Sequence, residues 1–332
     1  MVCINLSRTR LLRLTTRAAV GATFALAALA AQAQAWPTKP IRLVVTYPPG
    51  GTVDTVARII APRLSVRLGQ PVVIDNRGGA GGAIGGDLVA KSPADGYTVM
   101  LDASNHAQNP ALRSKMPFDT LRDFAPVSLL VKVPNVLVVN PATAISGVRD
   151  LIAQAIAKPA EINYASSGNG SAQHLAAELF DSMAKVRMTH VAYKGGGPAL
   201  IDVMAGQVPV FFASMASSLP YIQSGKLKAL AVTGKMRSSA LPQLPTVAES
   251  GLPGYEVYEW NAVFVPAATP VAVVDRLSKE IAATLKEPEV RARLEALGAE
   301  VIGSSPAELD AFRRAELVKW SRLAKDNHIQ LD

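Results

Sequence analysis

The chain has 332 residues, of which 49% are hydrophobic, and its 34 Lys and Arg against 26 Asp and Glu give a formal charge of +8. That apolar content allows a real core, and basic residues dispersed without an aromatic stripe leave no nucleic-acid footprint. The only cysteine is Cys3, which excludes a disulfide framework and thiolate chemistry from anything that follows the N-terminal segment.

That segment reads as a secretory signal peptide. Arg8, Arg10, Arg13 and Arg17 precede an alanine-rich apolar run, Ala18 to Ala31, and Ala33-Gln34-Ala35 forms an A-x-A cleavage site. The run is shorter than the ~20 residues of a membrane span. Cleavage after Ala35 (Ala33 is the near alternative) removes 35 of 332 residues and leaves 297, enough for one large domain or two ordinary ones. The four arginines go with it, unaccompanied by acids, so +8 falls to +4. A weak positive field of this kind suits anionic solutes in the periplasm.

Ile41 to Tyr47 reads as a buried strand, and Val53, Val56, Ile59, Ile60 and Leu64 have the spacing of a helix with one face inward. Between them lies YPPGGTVD, residues 47–54. Gly50 and Gly51 allow close approach to the backbone, and a helix N-terminus stands behind them with unpaired N–H donors. The loop reads equally as an anion seat or as a tight turn capped by Thr52. Asp54 reads chiefly as a complement to the helix dipole, with ligand contact the second reading.

The next strand is Pro71 to Asn76, followed by the glycine loop RGGAGGAIGG and a short helix over 83–91. A strand from Tyr97 to Leu101 leads into the polar loop Ser104-Asn105-His106. Repeated β-loop-α units with buried strands imply a parallel sheet covered by helices. Two apolar strands are expected near 127–133 and 136–140, then a helix to Ala157 capped by Ser146.

After this break the rhythm restarts. Strands at 162–167, 188–193, 208–214 and 227–233 alternate with loop-helix segments that open GNGSAQH and KGGGPAL. Residues 251–260 are loop-like, 261–266 form a strand, and helices with early prolines are expected at 270–285, 288–297 and 306–327. So helical a tail packs back on the first domain. The expected layout is an α/β protein with domain 1 discontinuous (36–139 and 261–332) and domain 2 inserted (140–260).

Five strand-to-helix loops (48–54, 77–86, 103–106, 166–171 and 194–198) are rich in Gly and Ser or Asn. Ligands in open α/β sheets bind at the carboxyl ends of the strands, so two facing domains would gather helix N-termini around one cleft. The chemistry on offer is N–H, hydroxyl and amide, which suits an oxyanion better than catalysis. GGAGGAIGG lacks the dinucleotide-binding spacing, no P-loop is present, and GNGSA is not a nucleophile elbow. His106, His174, His190 and His328 lack metal-ligand spacing, so no cofactor and no metal are expected. His174 and His190 read as structural, and His106 could line the cleft. Lys194 reads equally as a solvated loop lysine or an anion contact.

The segments WPTKPIRLVVTYPPGGTVDTVAR, VVIDNRGGAGGAIGG, SPADGYTVML, INYASSGNGSAQHLAAELF, VAYKGGGPALIDVMAGQV, LKALAVTG and LPQLPTVAESGLPGYE, in this order, resemble the Bug family, the extracytoplasmic solute receptors of tripartite tricarboxylate transporters. The resemblance covers essentially the whole chain. It implies a Venus-flytrap periplasmic binding protein, monomeric and not an enzyme. Its hinge closes on a small organic carboxylate, which it delivers to a permease of one large and one small subunit. Carried over by position, the ligand-binding set is Pro49, Gly50, Gly51, Thr52 and Asp54, then Ser104 and Asn105, then Ser166, Ser167, Gly168 and Ser171, then Tyr193, Lys194, Gly195 and Gly196. Where many relatives have an Asp-Asn pair, this chain has Ala213-Ser214, which argues for an acid without an amine. Two other roles fit the scaffold: a co-sensor presenting ligand to a membrane kinase, or an exported enzyme, which would need a nucleophile–base pair or metal set absent from the sequence.

Overall fold

The computed structural model describes residues 36–193, 195–327 and 329–330. The expected leader, Lys194 and His328 therefore lie outside the described residues. Residues 39–332 form one compact unit, within which the following elements lie.

The first half alternates as expected: β1 (Ile41–Val45), α1 (Thr52–Leu68), β2 (Val72–Asn76), a 3₁₀ turn (Ala80–Gly82) running into α2 (Ala83–Ala90), β3 (Thr98–Ala103) and α3 (Asn105–Leu112). A long strand, β4 (Phe124–Val139), leads to α4 (Val148–Ala157), β5 (Asn163–Ser166), α5 (Ala172–Ala184), β6 (Thr189–Ala192), α6 (Gly196–Met204), β7 (Val210–Ser214), α7 (Met215–Gln223) and β8 (Lys228–Val232). The chain then returns through β9 (Tyr258–Pro266), α8 (Val271–Leu285), α9 (Pro288–Glu295), the short β10 (Glu300–Val301) and α10 (Pro306–Asp326).

The strand order is β2-β1-β3-β9-β4-β7-β5-β6, with β8 and β10 also paired to β4. β1 is parallel to β2 and β3, and β5 is parallel to β6 and β7. β9 runs antiparallel between β3 and β4, and β4 runs antiparallel to β7. The mixed sheet is thus two half-sheets that share one strand.

That shared strand departs from the sequence reading, which expected two strands at 127–133 and 136–140. β4 is continuous through Pro134 because it changes partners there. Phe124 to Pro134 pair with β9, and Asn135 to Val139 pair with β7, with β8 alongside from Val136. A proline cannot donate to a ladder, and a change of partners is a place where no donor is required. The neighbouring donor is satisfied from elsewhere: Asn135 N–H bonds Thr233 Oγ1 at 2.8 Å. The Thr233 hydroxyl in turn donates to Val257 O at 2.7 Å, while the Thr233 and Val257 N–H groups bond Asn135 O and Thr233 O. One buried threonine therefore ties together the three segments that run between the half-sheets.

Two further expectations are corrected. The Ser146 side chain does not cap α4; Gly147 holds the cap position, and Ser146 bonds Asp150 through both N–H and hydroxyl. The C-terminal helix does not pack on the first half alone. Leu309, near its start, lies in the core with Val44, Met100 and Phe264. Trp320, Leu323 and Ala324, near its end, lie in the core with Tyr164, Phe180 and Phe212. A 21-residue helix is about 30 Å long, enough to reach both cores.

The loop 77–86 serves packing. A Cβ on Gly86 would stand 2.5 Å from the Phe118 ring, and one on Gly78 would stand 2.7 Å from the Pro48 ring. The second glycine loop thus buttresses the first.

Replacing Thr233 by valine keeps the shape but strips the hydroxyl that serves Asn135 N–H and Val257 O. The expected loss is roughly 1–3 kcal/mol for buried backbone groups left unpaired, read as a lower urea midpoint with an unchanged slope. An unchanged midpoint would remove Thr233 from the role assigned to it.

Candidate functional site: a cleft lined by helix starts

Between the half-sheets lies a cavity of about 520 Å³, lined from both sides. This is the size range of small-molecule sites. Five helices begin on its wall: α1 through Gly50–Val53, α3 through Ser104 and Asn105, α5 through Ser171–Gln173, α6 through Gly195–Gly197 and α7 through Ser214, Ala216 and Ser217. The first N–H groups of a helix have no carbonyl partner within it, and the aligned peptide dipoles add a partial positive charge. Each strand ends at the cavity because a parallel unit puts its βα turns on one side of the sheet. No Lys, Arg or His lines the cavity among the described residues.

The first loop is held rigidly. Asp54 is buried, and its carboxylate accepts from Gly50 N–H at 2.9 Å, Arg58 Nε at 2.8 Å and Asn76 Nδ2 at 3.0 Å. Burial pushes this carboxyl up, but the bonds from Arg58, Gly50 and Asn76 outweigh it and hold the pKa below the usual value. Asn76 also donates to Tyr47 O. Gly50 N–H therefore faces Asp54, and the N–H groups presented to the cavity begin beyond it. Gly51, not Thr52, holds the cap position of α1.

Asn105 spans the cleft. Its Oδ1 accepts from Tyr47 OH at 2.7 Å, and its Nδ2 donates to Gly170 O at 3.0 Å in the loop before α5. Ser171 caps α5 by accepting from His174 N–H. Ser104 Oγ and Ser214 Oγ are buried and find no hydrogen-bond partner among the described residues.

Of the residues singled out from the sequence, Gly50, Gly51, Thr52, Ser104, Asn105, Ser167, Ser171, Gly195, Gly196 and Ser214 line the cavity. Pro49, Asp54, Ser166, Gly168, Tyr193 and Ala213 do not. Ser166 Oγ bonds His190 Nε2 and Gly168 N–H, Tyr193 OH donates to Asp202, and Ala213 is fully buried within β7. Lys194 lies outside the described residues. His106 lies beneath the floor: it is buried in α3, with Nδ1 on Asp102 and the ring stacked on Phe264 at 4.0 Å. The helix around it was read as a loop because its first residues are polar. His174 and His190 stack on each other at 3.9 Å behind the 166–171 loop.

Sequence reading missed Tyr47, Gln173 and Glu259. Glu259 is on β9 and lines the cavity together with Thr52 from one side of the cleft and Gln173 from the other, both near enough to lower its pKa. Its signal was present in the sequence: the one acid in the run YEWNAVFVP, which becomes a largely buried strand. Burial pushes its carboxyl up to about 7, against the lowering effect of Thr52 and Gln173. The cleft thus contains an acid, although Ala213 and Ser214 supply none.

Two α/β lobes sharing β4 and enclosing a cavity of helix starts define a solute-binding protein of the Venus-flytrap type. The chain belongs to the tripartite tricarboxylate transporter receptor family, whose model, described as "Tripartite tricarboxylate transporter family receptor", matches residues 56–329. It is similar to protein BugT of Bordetella pertussis, at 37% identity over 318 residues, 95% of this chain and 98% of BugT. Among solved structures it is similar to R. palustris Rpa4515 with adipate: 40% identity, TM-score 0.81, covering 89% of this chain and 99% of that one. It is also similar to MatC from Rhodopseudomonas palustris with bound malate: 31% identity, TM-score 0.77, covering 87% and 99%.

Changing Asp54 to alanine leaves Gly50 N–H and Asn76 without their acceptor, at an expected cost of roughly 1–3 kcal/mol. The Asp54 pKa is depressed, so its contribution is complete above the ordinary value of 3.8 and is lost as pH falls through the folded pKa. Urea titrations should show the gap to wild type widest near neutrality and closing on acidification. A gap independent of pH would contradict this account.

Proposed function

We propose that the cavity captures a small organic carboxylate and that the chain delivers it to a membrane permease with a large and a small subunit. The observation that carries this reading is the convergence of five helix starts on one cavity that has two unpartnered serine hydroxyls and no basic side chain among the described residues. Such a wall stabilises a carboxylate through oriented neutral donors. Relatives of 31–40% identity with adipate and malate support the same ligand class.

In this reading, the ligand-binding set is the group of sequence-predicted residues that line the cavity, extended by Tyr47, Gln173 and Glu259. Pro49, Asp54, Ser166, Gly168, Tyr193 and Ala213 support that set from behind. On the same reading the lobes are divided as 36–139 with 261–332 and 140–260, with α10 reaching the cores of both. The receptor works as a monomer in the periplasm after cleavage near Ala35. Closure is favoured when the ligand bonds both lobes at once, because only differential affinity shifts a conformational equilibrium.

The test is calorimetry with adipate and malate, with a simple alkylamine as control. The wild type should bind a dicarboxylate and not the amine. Gly51→Val should weaken binding at least about tenfold, about 1.4 kcal/mol. It should still fold, because a Cβ there meets nothing nearer than Pro48 O at 3.9 Å. Undiminished affinity in a folded Gly51→Val protein would return the loop to being only a turn.

A further inference from the structure

We propose that Glu259 makes this a proton-linked anion site: a carboxylate ligand enters together with one proton, which Glu259 holds at the junction of the two lobes. This rests on the reading above that the cavity takes an organic carboxylate.

The geometry comes first. Glu259 lines the cavity together with Thr52 at the start of α1 and Gln173 at the start of α5. Both helix starts belong to the donor wall on which an anion would settle. A ligand carboxylate and the Glu259 carboxylate would therefore compete for one set of donors in one desolvated space. Two like charges so placed do not both ionise, and the pair retains a proton.

Among the described residues, the charged groups nearest Glu259 are engaged elsewhere. On β9, the flanking Tyr258 and Trp260 project to the opposite face of the strand, where they bond Glu300 and Glu316. Lys132 of β4 also lies there, over the Tyr258 and Phe312 rings. On α1, Asp54 is paired with Arg58. On α5, His174 accepts from Gly170 N–H and stands beside Glu178. Asp102, at the end of β3, is paired with His106 and Thr46. Tyr47 is the remaining titratable neighbour; burial first, then Asp102 and Glu259, raise its pKa, so it stays neutral.

The sign follows from linkage. In the cleft as it stands here, desolvation already pushes the Glu259 carboxyl up toward its neutral form. An incoming anion pushes it further toward the neutral acid, which can donate to the ligand. Above neutrality that proton has to be drawn from solvent, so anion affinity falls as pH rises. The opposite slope would belong to a ligand ammonium paired with ionised Glu259, whose affinity grows as Glu259 loses its proton.

The experiment is isothermal calorimetry of the full mature protein with adipate and, separately, malate, from about pH 6 to about pH 9, where ordinary carboxyls are fully ionised. Each titration is repeated in two buffers of different ionisation enthalpy. The expected result is an affinity that falls toward about tenfold per pH unit above pH ~7, with about one proton taken up per ligand at the alkaline end. Glu259→Gln, which can still hydrogen-bond within the cleft, should flatten the profile and bind more tightly than wild type at about pH 9.

A flat wild-type profile without proton uptake overturns the proposal, and it needs no variant to fold. So does an unchanged slope in folded Glu259→Gln, which would assign the proton to another group. Glutamate binding with affinity that rises with pH, while adipate does not bind, would reverse the role of Glu259. If neither adipate nor malate binds at any pH, the carboxylate reading of the cavity fails first, and this inference with it.

Discussion

The structure depends on one strand having two sets of partners. β4 is hydrogen-bonded to β9 up to Pro134 and to β7 and β8 beyond it. Each half-sheet therefore needs the other to complete its own central strand, and the two lobes are fixed in sequence before they meet in space. The bonds at the change of partners run through Asn135, Thr233 and Val257, all buried. A ladder resists bending where its bonds are continuous and yields where they change partner. The short segment at Pro134–Asn135 is thus where the two half-sheets join. Gln173, which lines the cavity with Glu259, also reaches Asn135 Oδ1 at 3.4 Å, so this junction and the cavity wall share a side chain.

Among the described residues, the cavity wall offers an anion neutral donors rather than a cation. Neutral donors at helix starts are oriented by the fold, so they need little reorganisation when an anion arrives. The fold invests heavily in that orientation. Asp54 fixes Gly50 and Asn76, and Gly78 packs against Pro48. Asn105 is held between Tyr47 and Gly170. Several residues singled out as ligand contacts in sequence do not line the cavity but bond or pack against residues that shape it. This explains why a family motif extends beyond the residues that line the cavity: the acid at 54 and the serine at 166 make the loop shapes that expose their neighbours.

Most of the fold was legible because period and punctuation agreed. Valine-rich runs ending in Gly-Ser or Gly-Gly became strands followed by helices, most within one or two residues of their expected limits; β9 instead begins at Tyr258, three residues before the expected 261 and inside the stretch expected to be loop. The failures share a cause. Two strands were expected at 127–133 and 136–140, but Pro134 and Asn135 between them continue one strand, because the ladder changes partners there and needs no donor from the proline. Ser104-Asn105-His106 read as a loop because polar residues mark loops, but they are the start of a helix whose polar groups face a cavity and a buried Asp102. α10 was assigned to one core because composition does not say which core a helix will reach. Glu259 was missed because one carboxylate on a strand has no spacing pattern; its meaning lies in Thr52 and Gln173, far away in the chain.

That last residue joins the two lobes to the chemistry. A ligand shifts an open–closed equilibrium only through contacts it makes in one state and not the other. Thr52 and Gln173 flank the same carboxyl from the two sides of the cleft, so under the proposed closure the environment that desolvates Glu259 would itself be a product of closure. With the lobes apart, water would return to that carboxyl and its pKa would relax toward the ordinary range. Closure, proton and anion are then three linked events at one side chain. Each favours the next: a closed cleft raises the Glu259 pKa, a protonated Glu259 removes a negative charge from the donor wall, and an anion on that wall bonds both lobes. The same linkage favours release, since an anion freed as the lobes part leaves a hydrated carboxylate that does not readily take it back.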